Sequence, residues 1–175
     1  MILTIGHSTL PIEKFLEMLN AHGIRELVDV RTIPKSRRNP QFGQNELAAS
    51  LEKDGIQYVH LPGLGGLRHA RKDSINTGWK NASFRGYADY MQTTAFRESL
   101  AKLLELATAS PTVIMCAEAV PWRCHRSLIA DALTARGIPV EHILSATSRK
   151  PHTYTPFARI EGDSVTYPGL PLSES

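Results

Sequence analysis

The chain has 175 residues, 42% of them apolar and 21% charged, which fits one globular domain and is short for two. No apolar run approaches the ~20 residues of a membrane helix, and the opening strand-like run lacks the basic region and cleavage site of a secretion signal, so a membrane or secreted destination is not expected. The net charge of +3 is modest, and two cysteines are too few for a disulfide framework, which makes a reducing cytoplasm the expected compartment.

"MILTIGHS" (1–8) reads as a buried strand. Gly6 allows a sharp turn or a close approach to a ligand. His7 is a candidate for proton transfer, and Ser8 is either an anion ligand or, with Thr9, a helix cap. "PIEKFLEMLNAHG" (11–23) follows, with Ile12, Phe15, Leu16 and Leu19 at helical spacing, Pro11 at the start and Gly23 as a stop.

"IRELVDVR" (24–31) is the second strand. Asp29 and Arg31, two apart, point to the same side, either as a structural salt bridge or as an acid and a base gripping a ligand. "RTIPKSRR" (31–38) holds Arg31, Lys35, Arg37 and Arg38 and no acid. Arginine's planar fork suits phosphate, so Arg31, Ser36 and Arg37 are candidate anion ligands, a solvated basic face being the plainer alternative.

A helix is expected over "QNELAASLEKDG" (44–55), then a third strand, "IQYVHLPGLGG" (56–66), with His60 at its exit. Its glycine-rich loop lacks both the G-x-G-x-x-G order and Gly-Lys-Ser/Thr, so neither a dinucleotide fingerprint nor a P-loop is supported. The basic stretch 68–85, with Trp79, Phe84 and nearby Tyr87, is a base-stacking surface or a lid. "ADYMQTTAFRESLAKLLELATA" (88–109) reads as one long helical stretch.

"TVIMCAE" (112–118), "HRSLIADALTARG" (125–137) and "IPVEHIL" (138–144) give a fourth strand, a helix and a fifth strand. "RKPHTYTPFAR" (149–159) is a closing flap or a surface connection. Residues 1–168 form a single domain, and 169–175 a loose tail. The alternation of strand and helix predicts an α/β fold with three layers: a mainly parallel, five-stranded, Rossmann-like sheet with helices on both faces. Ligands of such sheets sit outside the carboxyl ends of the strands. Those ends carry His7, Ser8, Asp29, Arg31, His60, Cys116, Glu118 and His142.

The richest stretch is "MCAEAVPWRCHRS" (115–127), which contains both cysteines. The helix starting at "RCHRS" offers unpaired N–H groups to an anion near Cys124–Ser127, reinforced by Arg123 and Arg126, and the same field lowers a thiol pKa. Glu118 is either a general base or a salt-bridge partner of Arg123 or Arg126. A Cys-x5-Arg phosphatase loop is missed by one residue, since position 122 is Trp. Zinc ligation lacks its usual spacing, because Cys116 and Cys124 are eight apart, and Cys116 is equally at home as a buried structural residue.

The chain resembles the family called domain of unknown function 488. The resemblance rests on "TIGHST", "LVDVR", "PKSR", "HLPGLGG", "GYADYM", "MCAE", "CHRSLIA" and "HTYTPFAR". It implies a single α/β domain whose signature residues are His7, Asp29, Arg31, Ser36, Arg37, Cys116, Glu118, Cys124, His125 and Arg126. It implies no particular reaction.

Three functional readings stay open. In the first, the protein is an enzyme, a hydrolase or transferase acting on a phosphate-bearing nucleotide or nucleic acid. Arg31, Arg37, Arg123 and Arg126 hold the anion, Glu118 or Asp29 activates water, and His7 or His125 moves a proton during phosphoester or N-glycosidic cleavage. In the second it is a non-catalytic nucleotide or nucleic-acid binder. In the third, Cys116 and Cys124 carry redox or transfer chemistry. No cofactor is expected, and a divalent metal stays open.

Overall fold

A computed structural model describes residues 1–169; beyond Gly169, the expected loose tail lies outside the described residues. The most apolar runs make the central strands. β1 (Ile2–Gly6) and β4 (Thr112–Cys116) are buried at every position, as strands covered on both faces must be. β2 (Glu26–Asp29), β3 (Gln57–His60) and β5 (Val140–Ser145) flank them, and β6 (Ser148–Pro151) closes one edge in the order β3-β2-β4-β1-β5-β6.

The first five strands run parallel, and β6 is antiparallel to β5. The sheet is therefore six-stranded and mixed, not five-stranded. β6 is exposed at all four positions and carries no apolar alternation to betray it. Its Pro151 is tolerable because edge strands need fewer ladder donors. A separate hairpin, β7 (Arg159–Glu161) with β8 (Ser164–Thr166), follows.

Alternation along the strands divides two cores. Val113 and Met115 face α1 (Ile12–Ala21) and α2 (Gln44–Lys53), where Phe15, Leu19, Leu47 and Leu51 are fully buried. Ile114 and Cys116 face the opposite layer of α3 (Ala82–Met91), α4 (Thr94–Ala109) and α5 (Arg126–Ala135). Each such buried side chain contributes roughly 1.5–3 kcal/mol. The expected single helix over 88–109 is two helices. Asn81 accepts from the Ser83 and Phe84 amides to start α3, and Thr93 accepts from the Phe96 amide to start α4, so each start has a side-chain oxygen for donors that a helix start leaves unpaired.

Candidate functional site

The carboxyl end of the sheet carries two groups of polar side chains, one on each face. On the α1–α2 face, Asp29 ends β2 and is fully buried. It accepts from the Arg31 amide at 3.1 Å, Arg31 Nε at 2.9 Å, Arg31 Nη2 at 2.7 Å and the Tyr58 hydroxyl at 2.6 Å. Asp29 and Arg31 therefore form a buried, chelated ion pair. Burial, and then the Asp29 contact, raises the Tyr58 phenol, so that hydroxyl stays a donor.

His7 stacks on Phe42 at 4.3 Å. Its Nδ1–H donates to the Ser8 carbonyl at 2.8 Å, which leaves Nε2 to accept from Arg31 at 3.4 Å. Burial holds the His7 pKa below its usual value, against the pull of the Ser8 carbonyl. Ser8 itself takes φ 47°, a left-handed conformation rare outside glycine. The amides of His7 and Ser8 donate to the Cys116 and Ala117 carbonyls at 2.9 Å each, and so pin the exit of β1 to the exit of β4. Gly6 is required there: a Cβ would lie 1.8 Å from the Glu118 carbonyl oxygen. The close approach made possible by Gly6 is to the chain's own loop.

On the α3–α5 face, Cys116 ends β4 and Cys124 lies past the turn Pro121–Arg123, immediately before α5. Both thiols are free and buried. Cys116 Sγ also lies 3.6 Å from the Glu118 carbonyl oxygen. Arg126 points back beneath this loop and is fully buried. Its Nη1 donates to Thr4 at 2.8 Å, and its Nη2 to the Glu118 and Ala119 carbonyls at 3.0 and 2.9 Å.

It is thus the backbone of Glu118 that meets Arg126. The Glu118 side chain is exposed, and no salt bridge among the described residues includes it. His125 Nε2 donates to the Val30 carbonyl at 2.9 Å, and its Nδ1 sits 3.6 Å from Cys124 Sγ. Burial lowers His125 to a pKa of about 4, so the ring is neutral at neutral pH.

A cleft of about 490 Å3 opens on this face. Arg31, Arg123, Cys116, Glu118, Cys124 and His125 line it, as do Lys35 and Phe84. Arg31 is the residue that joins the two faces. Ser36 and Arg37 do not reach the cleft; they line a neighbouring hollow with Pro40 and Glu46, where Ser36 accepts from the Asn39 amide. His7 stands behind Arg31, and Arg126 beneath the loop. His142 is not at a strand exit: it pairs with Thr4 in mid-strand.

There it joins a network that spacing alone does not show. Arg126 donates to Thr4, Thr4 to His142 Nδ1, His142 Nε2 to His152 Nδ1 at 2.9 Å, and His152 Nε2 to Asp131 at 2.7 Å. Thr155 and Tyr167 complete the Asp131 shell. A lone acid among the apolar residues of "SLIADAL" is the only sequence hint of it. Among the described residues no group of three or more His, Cys, Asp or Glu is placed to hold a metal ion, and no helix is long and apolar enough to cross a membrane.

Compared with curated proteins and with solved structures, the chain has no match. A family model described as "Domain of unknown function DUF488" matches residues 11–133, a span from α1 to α5 that contains every cleft residue named here. The chain belongs to the DUF488 family.

Proposed function

We propose that the protein is an enzyme, a hydrolase or transferase, acting on a phosphate-bearing nucleotide or nucleic acid in the cleft at the carboxyl edge of its sheet. One observation carries this reading. Arg31, Lys35 and Arg123 surround the cleft against a single acid, Glu118. Arg31 is already matched by Asp29, whereas Lys35 and Arg123 have no salt-bridge partner among the described residues. Two unmatched cations in a concave wall concentrate anions. The position is where Rossmann-like sheets hold ligands, and the Phe84 ring supplies a stacking face for a base.

Within this reading Lys35 and Arg123 hold the phosphate, and Arg31, fixed by Asp29, presents its remaining donor. Glu118 is the general base. Its carboxylate is exposed at the cleft, whereas Asp29 is consumed by four donors. His125 is an unsuitable acid at neutral pH, because its proton is on Nε2 and committed to Val30.

Calorimetric titration with nucleoside 5′-monophosphates and with the parent nucleosides tests the reading. The phosphates bind and the nucleosides do not, binding weakens with salt, and Arg123→Ala or Lys35→Ala weakens it about tenfold, equivalent to ~1.4 kcal/mol. Glu118→Gln keeps binding and loses turnover. Equal binding of nucleosides and phosphates overturns the anion assignment. Binding without turnover of any phosphoester or N-glycoside tried makes the protein a binder and not an enzyme.

A further inference from the structure

A second hollow, of about 330 Å3, adjoins the cleft. The turn Pro121–Arg123 stands between the two: Pro121 and Trp122 line the hollow and Arg123 lines the cleft. Trp122 and Arg123 are consecutive, so their Cα atoms are about 3.8 Å apart. The other partition is aromatic. Trp79 on the wall of the hollow packs on Phe84 of the cleft wall, with ring centroids 4.9 Å apart.

The lining suits a flat ring in a negatively charged molecule. Trp122, Leu144, Tyr154 and Phe157 line the hollow and are four of the nine large apolar side chains exposed among the described residues. Single exposed apolar residues are ordinary, but a cluster of them around a concavity marks a binding surface. Trp122 is the most open of the four, at 66%. No acid lines the hollow. Its one lysine or arginine, Lys150, has no salt-bridge partner among the described residues.

The far wall is held in place by the network that the cleft does not use. The His152 amide donates to the Val140 carbonyl at 2.8 Å. His152 Nε2 donates to the fully buried Asp131 at 2.7 Å, and the Thr155 amide and hydroxyl donate to it at 3.2 and 2.8 Å. Tyr167 donates to the same carboxylate and packs on Trp79, which also meets Phe157 edge-on at 4.8 Å. Asp131 thus fixes both residues 152–155 and the aromatic partition, and the hollow is formed before anything enters it.

We propose that this hollow is a second base subsite, and that the ligand of the protein is a single strand of nucleic acid. One base stacks on Phe84 in the cleft, the phosphate that follows lies at Arg123, and the next base stacks on Trp122 in the hollow. The inference rests on the phosphate reading of the cleft. The ring–cation–ring order of Phe84, Arg123 and Trp122 matches the base–phosphate–base repeat of a strand, and stacking faces combined with cations along the backbone are how unpaired strands are held. In a duplex the faces of each base are covered by its neighbours, so a paired strand offers neither ring a surface. The volume lies at the lower end of the ~300–1,000 Å3 range of ligand pockets, which suits one base and not a whole nucleotide. Lys150 meets the next phosphate along.

Calorimetry with the adenylate series, ribo and deoxy, tests the assignment. The probes are the 5′-monophosphate, the 3′,5′-linked dinucleotide and a dinucleotide of the same bases joined 5′ to 5′ through pyrophosphate. The 3′,5′-linked dinucleotide is expected to bind at least tenfold more tightly than the monophosphate, and a gain in either sugar series supports the assignment and names the sugar. Trp122→Ala abolishes that gain and leaves the monophosphate affinity within twofold, whereas Trp122→Phe retains most of the gain. Amide shifts between residues 142 and 157 appear with the dinucleotide and not with the monophosphate. Equal affinity for monophosphate and dinucleotide in a protein that binds both overturns this inference and leaves the cleft reading standing. Binding of neither overturns both. A Trp122→Ala variant that keeps the gain, or that loses monophosphate binding equally, removes the subsite, and tighter binding of the pyrophosphate-linked dinucleotide overturns the strand.

Discussion

Asp29 shows how one side chain is settled by the donors around it. With four donor groups of Arg31 and Tyr58 directed at it its carboxylate is structural, and the cost of losing it is set by the Arg31 charge left behind. Asp29→Asn is expected to cost about 3–5 kcal/mol, the usual penalty for orphaning a buried partner, whereas Tyr58→Phe, which deletes one donor, costs about 1 kcal/mol; urea unfolding of the two variants checks the ratio. Gly6→Ala drives a methyl group into the Glu118 carbonyl and is expected to destabilise by about 3 kcal/mol, measured the same way. The Asp29–Arg31 pairing was legible from their i, i+2 spacing. Its tightness was not, because Tyr58 arrives from a neighbouring strand 29 residues away.

At the scale of elements, those with a long apolar pattern were readable and the short, largely exposed strands were not. β1, β4 and α1 carry continuous apolar or helical-period patterns, and each forms over nearly the expected residues. β6 and β7 are exposed at every position and β8 buries only Val165, so little in their composition distinguishes them from loop. The break between α3 and α4 depends on the Thr93 cap; Thr93→Ala is expected to lower stability by about 1 kcal/mol in thermal or urea unfolding.

The start of α5 and the middle of β5 make a pH prediction. Burial holds His125 at a pKa of about 4 and His142 at about 3, against 6.5 for a free imidazole. Between those values and 6.5 the unfolded chain binds protons that the folded chain does not, so stability falls as pH falls. Each imidazole contributes on the order of 3 kcal/mol to that loss, which begins below pH 6.5 and is largely complete at pH 3–4. Unfolding free energies between pH 8 and 4 that stay level would contradict both burials.

Across the whole molecule, the position of the candidate site was legible and its internal division was not. The ends of β2 and β4 deliver Arg31, Cys116 and Glu118 to one rim, as a parallel sheet requires. Strand parity turns His7 onto Phe42 of the α1–α2 core, with Asp29 and Arg31 beside it, and turns Cys116 to the opposite core, to which the loop after β4 and the start of α5 bring Cys124 and Arg126. Arg126 looks from sequence like a ligand for an external anion at a helix start; its burial beneath the loop gives it internal partners instead. Lys35 was one cation in a basic run, and only the fold puts it on the cleft wall while sending Arg37 to the neighbouring hollow. The central claim is that a phosphate-bearing ligand enters that cleft. Amide chemical shifts recorded while a mixture of nucleoside 5′-monophosphates is titrated into the folded protein test it most directly. The account predicts shifts confined to residues 31–35, 66–67, 81–84 and 116–125; shifts centred elsewhere, or none at saturating nucleotide, would contradict it.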